Sequence, residues 1–213
     1  MVNRVCVLVA IAILLAPVLA DAQGTILRGR ALFVSPDADS STIGDTGTSV
    51  DVDDAVTLEI DLTLMFSETF GLEIVAATSE HDIETIGAAI GGADAGSVWV
   101  LPPTVTLQYH FPTDTGFRPY IGAGVNFTYF YSYDLSADLE ALGVTDIDFE
   151  ESFSFAAGVG ADVLLQGNWL LNFDVKYVDM DTEAELQTAT GVLDTIDVDI
   201  NPWLVGVGVG YRF

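Results

Sequence analysis

The run Trp203-Leu-Val-Gly-Val-Gly-Val-Gly-Tyr-Arg-Phe213 constrains this chain more than any other segment. Read in twos, it sets Trp203, Val205, Val207, Val209, Tyr211 and Phe213 on one face against Leu204, Gly206, Gly208, Gly210 and Arg212 on the other. A strand in a soluble sandwich would solvate the second face, and a row of glycines makes a poor solvated surface. In a membrane barrel the greasy face meets lipid, the aromatics sit at the interface and the small face lines a narrow lumen. A tilted strand of this length crosses a bilayer.

The same alternation recurs along the chain. Val56, Leu58, Ile60, Leu62, Leu64 and Phe66 oppose Thr57, Glu59, Asp61, Thr63 and Met65. Further strands are expected over 24–34, 71–79, 99–111, 117–131, 153–165 and around 169–177. Their connections alternate long and short, and the long ones are rich in acids. Ser136-Ala-Asp-Leu-Glu-Ala-Leu-Gly has a capping serine and a glycine stop, and reads as a two-turn helix inside the loop 132–152. The expected fold is all-β: an eight-stranded antiparallel transmembrane β-barrel with short periplasmic turns and long extracellular loops, its N- and C-termini periplasmic. The alternative is a soluble barrel with a ligand cavity. Against it, the apolar face stays on the side of the terminal aromatics, and the opposite face is too polar for a dry core.

Met1 to Arg4, the apolar run Val5–Leu15 and the small-x-small patterns ending at Ala20 or Ala22 read as a secretory signal peptide over 1–22, leaving 23–213 as one barrel domain. The lone cysteine, Cys6, falls inside it, so the mature chain is expected to carry neither disulfide nor lipid anchor. Half of the residues are hydrophobic although the formal charge is -26. Both hold if apolar residues alternate along strands while acids crowd into loops. That charge excludes nucleic acid as a partner.

Four ordered motifs carry a resemblance. Leu101-Pro-Pro-Thr, Phe117-Arg-Pro-Tyr-Ile-Gly-Ala-Gly-Val-Asn, the stretch from Asn168-Trp-Leu to Tyr177-Val-Asp-Met-Asp, and Asn201-Pro-Trp to Gly210-Tyr-Arg-Phe resemble the OmpW family, which includes the alkane-uptake protein AlkL. The match runs through the whole mature chain, apart from the first and third long loops. It implies an outer-membrane barrel that passes small hydrophobic molecules and leaves the ligand unnamed. The terminal aromatics, Tyr211 and Phe213, are similar to the signal by which Gram-negative barrels are recognised for assembly, which makes the barrel assembly machinery an expected partner beside outer-membrane lipids and lipopolysaccharide.

Parity places Arg28, Arg30, Asp61, Glu73, Gln108, His110, Tyr120, Asp162, Asp174 and Arg212 in the lower or middle lumen. An eight-stranded barrel is just wide enough for side chains to fill, and unpaired charges there are costly. The five basic residues of the mature chain, Arg28, Arg30, Arg118, Lys176 and Arg212, all lie in strands and, with acids such as Asp61, Glu73, Asp162 and Asp174 facing them, are therefore expected to form a paired ionic plug. Above it, Val75, Ala77, Gly124, Ala156, Gly158, Leu204 and Gly206 would line a small apolar pocket, open outward and blocked below. Pro102 and Pro103 lack the N-H donors a ladder needs. They either end their strand above the bilayer or open a lateral exit.

Other signals carry less. Gly206-x-Gly-x-Gly has the strand period and no following helix, unlike a nucleotide loop. Asn126-Phe-Thr matches a glycosylation acceptor by chance within a strand. His110 reads as a structural lumen residue and His81 stands alone in a loop. With no Ser-His-acid set and no metal-spaced His pair, neither an enzyme, a cofactor nor a metal site is expected. The acid runs at 51–54, 179–185 and 194–199 serve solubility or, alternatively, bridge divalent cations to lipopolysaccharide. The reading that follows is a passive outer-membrane channel for small hydrophobic molecules. The alternative is a closed structural or surface-interaction barrel.

Overall fold

A computed structural model describes residues 24–42, 48–87, 94–141 and 143–213. The expected signal peptide and Cys6 lie outside the described residues. In chain order the strands are β1 (Gly24–Ser35), β2 (Asp39–Ser40), β3 (Thr48–Val52), β4 (Ala55–Met65), β5 (Phe70–Ala77), β6 (Ser79–Gly87), β7 (Asp94–Leu101), β8 (Thr104–His110), β9 (Phe117–Leu135), β10 (Val144–Phe149), β11 (Ser152–Leu164), β12 (Trp169–Asp179), β13 (Asp181–Thr188), β14 (Gly191–Asp199) and β15 (Trp203–Arg212). A short helix, α1 (Ala137–Ala141), lies between β9 and β10. Ser136 caps it: its Oγ accepts the Leu139 N-H at 3.2 Å.

Eight of these strands close a barrel in the order β1-β4-β5-β8-β9-β11-β12-β15, every pair antiparallel, with β15 returning to β1. Alternation drives the closure. Outward side chains remain exposed, Val56 and Leu58 at 77 % each, as a lipid-facing wall requires. Aromatics ring both ends of this wall. Phe66, Phe70, Tyr109 and Phe111 form a chain of ring contacts at the short-turn end, where Trp169, Tyr211 and Phe213 form another. Trp99, Tyr129 and Tyr131, and separately Tyr177 with Trp203, do so at the other end.

The acidic connections are not the solvated loops expected of them. They continue the barrel as two sheets, β3-β6-β7-β9 and β10-β13-β14-β2. Each puts acids outside and apolar residues inside. Ile83, Val98 and Val100 of the first pack against Ala184, Leu186, Ile196 and Val198 of the second, with Leu139 of α1 between them. The alternation Glu183-Ala184-Glu185-Leu186 is a strand pattern with one dry face, so apolar burial folds what charge count alone would leave in water.

The glycines of β15 give the lumen its shape. A Cβ at Gly208 would fall 2.1 Å from the Gly29 carbonyl oxygen and 2.8 Å from Arg30 Cγ, and one at Gly210 would fall 2.8 Å from Arg28 Cγ. These glycines form the trough in which both arginines lie. Gly208→Val is expected to destabilise the barrel by about 1–3 kcal/mol through overpacking, measured by denaturant unfolding in detergent. Gly29→Ala, whose Cβ meets nothing within 4 Å, should unfold like the unmodified protein.

Candidate functional site

The site has three levels: an ionic floor, an apolar cavity above it, and a break in the wall beside the cavity. The floor begins on β1, whose inward residues Arg28 and Arg30 stand directly across from Asp61 and Glu59 of β4. Arg28 donates through Nη1 to Asp61 Oδ2 at 2.7 Å and through Nε and Nη2 to both oxygens of Asp162, at 3.0 and 2.7 Å. That second contact is a bidentate fork. Arg30 bonds Glu59 and reaches Asp61 and Glu73, each at 3.1 Å. Lys176 reaches Glu73 at 3.1 Å and Asp174 at 3.8 Å.

Three cations thus meet five carboxylates, and neutral donors serve the remaining lone pairs. Thr106 donates to Glu73 at 2.6 Å, Tyr120 to Asp174 at 2.9 Å, and Asn172 to Asp162 at 2.8 Å. Arg28 and Arg30 are 1 % exposed. In so dry a place the attraction offsets desolvation only when geometry and hydrogen bonding are complete. Every barrel strand takes part, β15 by supplying the glycine trough. Of the expected plug, Arg28, Arg30, Lys176, Asp61, Glu73, Asp162 and Asp174 meet at this level. Glu59 joins them unexpectedly, although its inward parity and its rung opposite Arg30 were the available signals.

Arg118 and Arg212 do not join them. Arg118 donates through Nη2 to the Glu68 carbonyl at 3.1 Å, and Arg212 sits half-buried beside it at the short-turn end. Arg212 lies two rungs below the Arg28–Asp61 level, pairing with Ile26 where Arg28 pairs with Gly210, and parity reports the face of a strand without reporting depth. Between the floor and that end lies a second layer, with Ile26, Met65 and Leu170 packed together against Leu164. His110 is buried there, bonded to Gln108 at 3.0 Å and packed on the Tyr120 ring.

Above the floor runs a cavity of about 100 Å³, walled by apolar residues that include Leu32, Val34, Val75, Ala77, Pro102 and Leu204. It continues upward between the two hairpin sheets. Ala156 is not in its lining. It packs against Val178 and Met180, which do line the cavity. Gly206 lies beside the Arg30 side chain, lower than expected. His81, far from standing alone in a loop, lines the cavity, with Nδ1 on the Asp53 carbonyl and Nε2 on Ser79, each at 2.9 Å. Burial pushes its pKa below the ordinary histidine value, against the opposing pull of the Asp53 carbonyl and of the Asp54 and Asp82 charges.

Beside the cavity the wall is broken. The β5–β8 ladder ends at Val75↔Thr104, and the β6–β7 ladder begins at Ser79↔Val100. The register is the same on both sides, so the absent rungs are Ala76 with Pro103, Ala77 with Pro102 and Thr78 with Leu101. The expected strand 99–111 is therefore two strands parted by the prolines, which cannot donate to the ladder. Toward β9 the pairing carries through, with Phe127 N donating to the Pro103 carbonyl at 3.0 Å.

Truncating one member of the floor strands its partners. Arg30→Ala is expected to lose on the order of 3–5 kcal/mol, measured by denaturant unfolding in detergent. An unaltered midpoint would show that these ion pairs do not hold the barrel together.

The comparisons agree with this geometry. The sequence model of the OmpW family matches residues 22–213. Outer membrane protein W of Vibrio cholerae is 34% identical over 218 residues, covering 100% of both chains. The crystal structure of the outer membrane protein OprG from Pseudomonas aeruginosa superimposes with a TM-score of 0.83 at 35% identity, covering 91% of this chain and 97% of that one. The dibenzothiophene metabolism operon protein PahQ of Pseudomonas aeruginosa is 25% identical over 171 residues, covering 78% of this chain and 76% of its own. Closed eight-stranded barrel, matching family model and full-length relatives together make this chain a member of the OmpW family of outer-membrane β-barrel proteins.

Proposed function

We propose that this protein is a passive outer-membrane channel for small hydrophobic molecules, which enter between the extracellular hairpin sheets and leave sideways through the broken wall into the bilayer. The termini and short turns are then periplasmic. One observation carries the reading: an apolar cavity stands on a charged floor and ends beside missing rungs. An apolar solute gains nothing by entering a desolvated ion network, and Ile26, Met65 and Leu170 pack closely beneath it. The floor is thus a plug, and the open rungs are the path of least cost. Unpaired backbone is tolerated at membrane depth where it lines a cavity, and Pro102 and Ala77 do so. Dibenzothiophene, in the name of the relative PahQ, is a compact apolar molecule of the class such a cavity suits.

The second reading, a closed barrel acting through its surface, draws on the cavity's size. At about 100 Å³ it is well below the roughly 300–1,000 Å³ of ligand pockets, so the hairpin sheets must part to admit cargo.

Pro102→Val with Pro103→Val restores two ladder donors. In proteoliposomes, uptake of an apolar tracer is expected to fall toward the protein-free level while heat stability holds or improves. Planar bilayers should show near-zero ion conductance for the unmodified protein and a leak for Arg30→Ala. Unchanged tracer uptake by the folded double variant would favour the closed barrel.

A further inference from the structure

The prolines explain only half of the break. Lying between β7 and β8, they offer no N-H to either neighbour, Pro102 on the β5 side and Pro103 on the β9 side, yet each keeps a carbonyl that a neighbour could still bond. Successive residues of a strand turn their peptide groups to alternate neighbours. The Pro103 carbonyl accepts from Phe127 of β9, so the Pro102 carbonyl belongs to the β5 side, opposite Ala77. An Ala77 N-H bond to that oxygen would close the middle rung despite the proline.

The Pro102 carbonyl is occupied from inside the barrel. Asn126 Nδ2 donates to it at 3.2 Å and Thr104 Oγ1 at 3.0 Å. Asn126 is itself fixed: Nδ2 also donates to Thr104 Oγ1 at 2.8 Å, while Oδ1 accepts from Thr128 Oγ1 at 2.7 Å and Ser154 Oγ at 3.4 Å. Because a carbonyl can only accept, the amide nitrogen must face Pro102. Asn126 is 1 % exposed and lies on the rung between Thr104 and Ser154. The glycosylation-like match at Asn126 thus falls on a buried luminal amide.

We infer that Asn126, with Thr104, is the positioning residue that keeps the wall open, by drawing the Pro102 carbonyl into the lumen and away from Ala77. This rests on the lateral-exit reading for its role in transport, but the state of the wall is measurable without transport.

The test is amide hydrogen exchange at Ala77, followed by NMR on the full barrel in lipid, run alongside tracer uptake. Asn126→Leu combined with Thr104→Val frees the carbonyl and is expected to raise Ala77 protection at least tenfold and lower uptake several-fold. Thr104→Val alone, a near-isosteric change that preserves folding, should raise protection less but in the same direction. In the Pro102→Val, Pro103→Val background, where the wall is already closed, Asn126→Leu should add nothing. A merely structural asparagine would lower stability equally in both backgrounds and leave Ala77 exchange unchanged in the folded protein; that result overturns the inference. Raised protection with unchanged uptake supports the clamp and overturns the lateral exit. Unchanged protection, with uptake still abolished by the proline replacements, overturns the clamp and leaves the exit standing.

Discussion

The buried ion network around Arg28, Arg30 and Lys176 is the constraint on which the rest of the molecule depends. Eight strands enclose too little space for water to solvate these charges, so each must be met by a side chain from a neighbouring strand. Carboxylates come from β4, β5, β11 and β12, and neutral donors from β8, β9 and β12. The network ties together strands distant in sequence, such as Arg28 with Asp162. Replaced wholesale by apolar residues, such a floor could be equally stable. What charge adds is a layer that apolar solutes avoid, and the proposed lateral path rests on that layer.

The same alternation rule that builds the lipid-facing wall builds the hairpin sheets above it. In the wall, outward residues are apolar because lipid is the solvent. In β13 and β14 the outward residues are Asp181, Glu183, Asp197 and Asp199 because water is, while Ala184, Leu186, Ile196 and Val198 turn inward. One luminal surface therefore runs from floor to tip and changes from ionic to apolar as it rises. The Pro102-Pro103 break lies near that change, close to where the barrel hands over to the hairpins.

Much of this was legible in the sequence. The period-two runs gave most barrel strands to within a residue or two, because a single lipid-facing side writes an unambiguous pattern; the exceptions are 99–111, which the prolines divide, and β9, which runs on to Leu135. Arg28, Arg30, Asp61 and Glu73 could be assigned to the lumen by parity alone. Depth was not legible: Arg212 and Gly206 have the right parity and the wrong height, since height depends on shear between strands. Nor were the hairpin sheets, where frequent acids masked a regular inner face. The bond from Asn126 to the wall was not legible either, because its partner is the backbone carbonyl of Pro102 on the neighbouring segment, a relation that exists only once the register is set.

The central claim is that apolar cargo stops above the ionic floor and leaves through the wall. The most direct measurement is photolabelling of the reconstituted protein with a small diazirine-bearing hydrocarbon at saturating occupancy, with labelled positions mapped by mass spectrometry and labels on outward-facing residues set aside as contacts with the bilayer. The account predicts luminal labels at Leu32, Val75, Ala77 and Pro102, and none at Ile26, Gln108 or Leu170. Labels on the latter three would show cargo passing the floor and would contradict it.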